Sequence, residues 1–146
     1  MRNIEKYLSL LTGEVDGLLL TSRYSRHYGA EYDIAEGVAI VTKAGCRYFT
    51  DSRYIESAQN GIRGFDVIET NKDNSYIQCL EKAIVDFGVT KIGFEENYLT
   101  VAELDYYAKS LKAEFIPYNA KINGFRGMKE DWELALMRKA QEITDK

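Results

Sequence analysis

The chain is poor in the residues that most often advertise chemistry. Its 146 residues include one histidine, one proline, one tryptophan and two cysteines. A nucleophilic triad needs a Ser or Cys, a histidine base and an orienting acid. His27 is the only base of that kind, and no serine sits in a GxSxG elbow. Cys46 and Cys79 form no CxxC or Cys/His cluster, which argues against a structural zinc site. Both read as small buried hydrophobes in a reducing compartment. Neither GxxxxGK[ST] nor GxGxxG is present, and Gly61-Ile-Arg-Gly64 is too short and precedes a strand. No apolar run reaches the length of a membrane span, and the first residues lack a signal-peptide core. The expected location is the cytoplasm. An excess of positive charge is missing too. The net charge is −4, with Lys and Arg interleaved among acids, which excludes an evident nucleic-acid platform.

What is present is the pattern of a globular α/β protein, 45% hydrophobic and 29% charged. The organising stretch runs from Asp16 to Ala58. It holds three short apolar runs, Gly17–Thr21, Gly37–Thr42 and Cys46–Thr50, each bounded by Gly, Asp or Ser and each predicted as a buried strand. Lys43-Ala44-Gly45 joins the last two at hairpin length. Before them, Ile4, Tyr7, Leu8 and Leu11 predict an amphipathic helix over residues 2–11, with Gly13 free to end it. After them, Asp51 is expected to cap a helix over Ser52–Gln59. A strand at Phe65–Glu69, a helix capped by Asn74 or Ser75 and closed by Gly88, and a strand at Lys91–Glu95 follow. Thr100 and Glu103 form a capping box that opens a helix to Leu111. A strand at Glu114–Tyr118 has Pro117 near its end, which suits a sheet edge. A helical turn at Asn119–Phe125 and a charged, partly apolar helix from Lys129 onward complete the order. An early hairpin followed by strand–helix alternation predicts a three-layer α/β domain, a mixed sheet of roughly six strands flanked by helices.

The segment Ser22–Asp33 reads as an aromatic, charged loop holding Arg23, Tyr24, Arg26, His27, Tyr28, Glu31 and Tyr32. Such a set suits a small polar ligand or a partner surface, or else tyrosines covering a sheet edge. Glu31, Asp33 and Glu36, and the pair Glu95-Glu96, could in principle attract a hard cation. Scattered surface acids are the plainer reading, so no metal ligand and no catalytic residue is assigned.

These residues resemble the N-terminal domain of the creatinase, prolidase and aminopeptidase P family of pita-bread metalloenzymes. Asp16-Gly-Leu-Leu-Leu-Thr-Ser22 matches the family's D-G-[LM]-L-[IL]-T-S. Ser25-Arg-His-Tyr-Gly-Ala-Glu-Tyr32 stands without a gap where N-[IVR]-R-Y-[LMF]-T-G-F is found, and Ala35-Glu-Gly37 and Val41-Thr42 stay in register. Thr50-Asp-Ser-Arg-Tyr54 with Ala58 matches T-D-x-R-Y and its following Ala. Phe125-Arg126, Lys129, Glu133-Leu134, Met137-Arg138, Ala140, Ile143 and Asp145 follow the family's linker helix. Two departures stand out. Ala30-Glu31-Tyr32 replaces T-G-F, and His27 replaces the Arg before Tyr28.

The resemblance implies a creatinase N-terminal-domain-like fold with a ribonuclease H-like motif over residues 1–125, and the start of a linker helix over 126–146. It implies a separate C-terminal catalytic domain holding two divalent ions (manganese, cobalt or zinc) through two Asp, one His and two Glu, for hydrolysis of the bond before proline. One histidine cannot supply that domain's needs, so this chain alone is expected to be inactive. Implied partners are its own catalytic domain, a second subunit of a homodimer and a proline-containing peptide, with no nucleic acid and no membrane. By the same resemblance His27, Tyr28 and Tyr32 would gate the partner's active site. Asp51 and Arg53 are expected to form a structural ion pair. A stand-alone binding or dimerisation module, and the N-terminal domain of a creatinase-like C–N hydrolase, remain alternatives at this point.

Overall fold

The computed structural model describes residues 2–125. The expected linker helix therefore lies outside the described residues. Strands β1 (Gly17–Leu20), β2 (Val38–Thr42) and β3 (Cys46–Thr50) form an antiparallel meander. Strands β4 (Asp66–Glu69), β5 (Lys91–Phe94) and β6 (Glu114–Pro117) join it in parallel, giving the order β4-β3-β2-β1-β5-β6. Only β2 runs against the other five. The carboxyl ends of β1, β3, β4, β5 and β6 therefore lie along one edge of the sheet.

Side chains alternate across the pleat, so each strand feeds two cores. Leu18, Leu20, Ala39, Val41 and Tyr48 face one layer. That layer is made by α1 (Asn3–Leu8), α2 (Arg23–Ala30), α3 (Ile55–Gly61) and α6 (Asn119–Gly124). Leu19, Ile40, Phe49, Ile92 and Phe94 face the other. There α4 (Tyr76–Phe87) contributes Cys79, Leu80, Ala83 and Ile84, and α5 (Val101–Ser110) contributes Leu104 and Tyr107. The mixed six-stranded sheet with helices on both faces is the architecture that the sequence pattern predicts.

Local signals explain several boundaries. Ser75 and Gln78 close a capping box at the start of α4, and Thr100 and Glu103 close the expected one at α5. Gly88, at φ +65°, ends α4 in the left-handed conformation. Pro117 lies in the edge strand β6, where a missing N–H costs no ladder bond.

Three expectations are corrected. The first helix ends at Leu8, and residues 9–12 continue as turns. Asp51 does not cap a helix, because α3 starts at Ile55. Its carboxylate instead accepts from the Arg53 N–H at 3.0 Å, forming a turn whose Asp51 carbonyl accepts from the Tyr54 N–H. The third correction is the largest: Ser22–Asp33 is mostly not a loop. Ser22 caps α2, its hydroxyl accepting from the Ser25 N–H.

Candidate functional site

The carboxyl edge of an α/β sheet is where loops and helix starts converge, and where ligands of such folds most often bind. In this chain that edge gathers Thr21 and the start of α2, the Asp51 turn, Glu95 after β5, and Tyr118 before α6.

Helix α2 is amphipathic in an unusual way. Its inner face is Ser25, Arg26, Gly29 and Ala30, all buried, and its outer residues Arg23, Tyr24 and His27 are exposed. Gly29 is there because of proximity. A Cβ on it would stand 2.8 Å from the ring of Tyr7, so only glycine lets α1 and α2 approach this closely. The Tyr7 hydroxyl donates to the Ser25 carbonyl at 3.2 Å across the same contact.

Arg26 is 4% exposed and has no carboxylate against it among the described residues. Its guanidinium donates to the Tyr48 hydroxyl at 2.7 Å and to the carbonyls of Ile34 and Ala35 at 3.0 and 3.4 Å. These bonds pin the segment leading from α2 into β2. Burial pushes the Tyr48 hydroxyl above its ordinary pKa, with the neighbouring guanidinium opposing that shift.

Glu95 is the residue the sequence reading misplaced. In the sequence it reads as one of several surface acids, yet it is fully buried. Oε1 accepts from the Thr21 and Ser22 N–H groups at 3.1 and 3.2 Å and from the Ser25 hydroxyl at 2.6 Å. Oε2 accepts from the Ser22 hydroxyl at 2.8 Å and the Asn123 side-chain amide at 3.1 Å. A buried carboxylate is tolerable only with its lone pairs engaged, and here five donors engage them. The only signal in the sequence was position: an acid directly after the buried Ile92-Gly-Phe94 end of a strand.

The three residues proposed from the sequence do not converge on one point. His27 is exposed on α2. Tyr28 is half-buried, its ring stacked on Phe125 at 6.4 Å and edge-on to Tyr7 at 5.5 Å. Tyr32 follows the helix and shares a hydrogen bond with the Ser57 hydroxyl at 2.8 Å, its ring lying against Gly61. Asp51 and Arg53 lie 2.7 Å apart at the rim, and the Arg53 guanidinium holds the Asp51 carboxyl below its usual range. Arg23 makes a two-pronged contact with Asp33 at 2.7 and 2.8 Å, with the same effect on Asp33. Tyr98, which the sequence reading did not single out, lies after β5 with its ring 6.2 Å from that of Tyr24, on the outer side of α2.

The donor set does not suit a metal ion. Asp33 is engaged by Arg23, Glu95 by its five donors, and Glu96 by the Asn119 N–H at 2.7 Å. No grouping of three or more His, Cys, Asp or Glu able to hold an ion occurs among the described residues. What the edge offers instead is an exposed strip of imidazole, phenol and guanidinium groups on a rigidly seated helix. Such a strip can contact a peptide but holds no nucleophile–base pair.

Residues 8–128 match the family model of the creatinase/prolidase N-terminal domain. The chain belongs to this family. The Xaa-Pro dipeptidase from Bacillus anthracis superposes on the domain with a TM-score of 0.85 at 29% identity, over 94% of this chain and 38% of that one. An uncharacterized peptidase, YqhT, of Bacillus subtilis (strain 168) is 29% identical over 132 residues, which is 90% of this chain and 37% of that protein. The N-terminal domain of the cytoplasmic peptidase PepQ from Mycobacterium tuberculosis H37Rv, at 20% identity and a TM-score of 0.69, shares the fold over 95% of its own length. The creatinase/prolidase N-terminal domain thus spans little more than a third of the Bacillus anthracis dipeptidase and of YqhT. No described helix is long and apolar enough to cross a membrane.

Proposed function

We propose that this domain is the non-catalytic N-terminal part of a proline-specific metallopeptidase, an Xaa-Pro dipeptidase or aminopeptidase. In this reading it works in the cytoplasm as one half of a homodimer, with α2 and the residues after it narrowing the entrance to the partner subunit's active site. The observation that carries the reading is the relation to the Xaa-Pro dipeptidase: nearly all of this chain is matched, against 38% of that one. The unmatched remainder is where a catalytic domain would lie. Two divalent ions bound there, manganese, cobalt or zinc, would activate a water for cleavage before proline. The described residues do not gather a donor set for such ions, so the contribution read from them is steric and polar.

His27, exposed on α2, would meet the peptide, while Tyr28 and Tyr32 hold the helix and its exit at a fixed height. Exclusion of longer peptides then follows from shape, and a few polar contacts favour a free terminus. Asp51 and Arg53 would keep the neighbouring turn in place.

The experiment compares this chain with the longer enzyme. Supplied with manganese or cobalt, the 146-residue chain leaves Xaa-Pro dipeptides and tripeptides uncut. In the longer enzyme, His27→Ala and Tyr32→Ala change the ratio of KM values for long and short peptides by about 3- to 10-fold, with metal content unchanged. Metal-dependent turnover by the short chain, or an unchanged ratio in both variants, would overturn the reading.

A further inference from the structure

Helix α2 is tied to α6 at two points along its length. At its start the tie is Glu95. Oε1 holds the β1–α2 junction through the Thr21 and Ser22 N–H groups and the Ser25 hydroxyl, while Oε2 reaches the Asn123 amide on α6. Further along, the tie is aromatic: Phe125, directly after α6, lies parallel to Tyr28 within 3° and edge-on to Tyr7. Two fixed points prevent one helix from swivelling against the other.

We infer that Glu95 is a positioning residue for the rim: it couples α2, which carries His27, to α6, through which the chain leaves the domain. An apolar side chain of similar volume would fill the space but leave the five donors without an acceptor. What a carboxylate adds is five directional acceptor contacts to two stretches distant in the chain, residues 21–25 and α6, so a shift of either strains the other. The Asn123 amide records this constraint. Its nitrogen is turned toward Glu95 and Asn119, and its Oδ1 is left buried without a partner. Displacing whatever follows residue 125 would therefore move α2. The link to substrate selection rests on the reading of α2 as the rim; the coupling itself does not.

Amide hydrogen exchange on the 146-residue chain tests the coupling, because the Thr21 and Ser22 N–H groups report on Glu95 directly. Asn123 hydrogen-bonds to neither residue, yet Asn123→Ala should speed their exchange at least about threefold, while β2 and β3 amides keep their protection. Combined with Ser25→Ala, its effect should be clearly non-additive, since both side chains share the same carboxylate. Glu95→Gln, which retains one acceptor oxygen, should restore much of the protection lost in Glu95→Ala. Additive single effects overturn the coupling, as does faster exchange spread evenly through the sheet. If the coupling holds but Asn123→Ala leaves the longer enzyme's peptide-length preference unchanged, the α2–α6 coupling stands and the rim reading fails.

Discussion

Glu31 occupies the left-handed region at φ +55°, ending α2 in a conformation that favours glycine. It stands where the family pattern T-G-F has its Gly, so the departure seen in the sequence has a backbone cost. Its gain is slight: a contact with Arg2 at 3.8 Å between two largely exposed side chains. Glu31→Gly should therefore stabilise the domain by about 0.5–1 kcal/mol, read as a higher urea midpoint with an unchanged slope. A lower midpoint would show that the side chain contributes more at this position than the geometry suggests. At this scale the sequence was a partial guide. Gly88 and the Thr100–Glu103 box act over one turn and were legible. Glu95 was not, because its donors come from residues 21, 22, 25 and 123, which only the folded chain brings together.

Among the elements, α2 is the one whose type the sequence pattern misleads on, and the reason is physical. Helical periodicity is looked for in apolar residues, whereas the buried stripe of α2 is Ser25, Arg26, Gly29 and Ala30. Ser and Arg are buried there because Glu95, Tyr48 and the Ile34 carbonyl satisfy them. Gly29 is buried because Tyr7 needs the room. The strands, with leucine, valine and isoleucine inside, were legible to within a residue or two. The close approach of α1 and α2 gives the prediction for this scale. Gly29→Ala improves intrinsic helix propensity by about 1 kcal/mol. The added methyl nevertheless meets the Tyr7 ring at 2.8 Å, and Tyr7 is fully buried with its hydroxyl bonded to Ser25. Overpacking should win, with a net loss of about 1–2 kcal/mol in chemical denaturation. The paired change with Tyr7→Phe tests the cause: the loss should persist, because the ring and not the hydroxyl collides. A stabilised Gly29→Ala would mean that α1 can move aside at little cost.

For the whole molecule the decisive joint is β1 against β5, where the antiparallel meander meets the parallel half of the sheet. Asp16 closes it at the end opposite Glu95. Its carboxylate accepts from the Thr90 N–H and hydroxyl and from the Lys91 N–H, and its own N–H donates to the Lys91 carbonyl. The sequence suggested only a turn at Asp16-Gly17, since nothing local points to a partner 74 residues away. Partial burial pushes the Asp16 carboxyl up, but the hydrogen bonds from Lys91 and Thr90 outweigh it and hold the group below its ordinary value. A carboxyl that is more acidic folded than unfolded contributes stability above its unfolded pKa of about 3.9 and loses it as pH falls through the folded value. Asp16→Asn should accordingly cost about 1 kcal/mol at pH 7, a modest figure because solvent reaches the site. The difference from the parent chain should shrink once the pH drops below about 4, where protonation removes the same advantage from Asp16 itself. Asp33 and Asp51, lowered by Arg23 and Arg53, are untouched in both chains and cancel from the comparison. Stability curves measured from pH 7 to pH 2 that stay parallel would assign the cost of Asp16→Asn to altered shape, and the carboxylate would lose its role as the charge that fastens the two halves of the sheet.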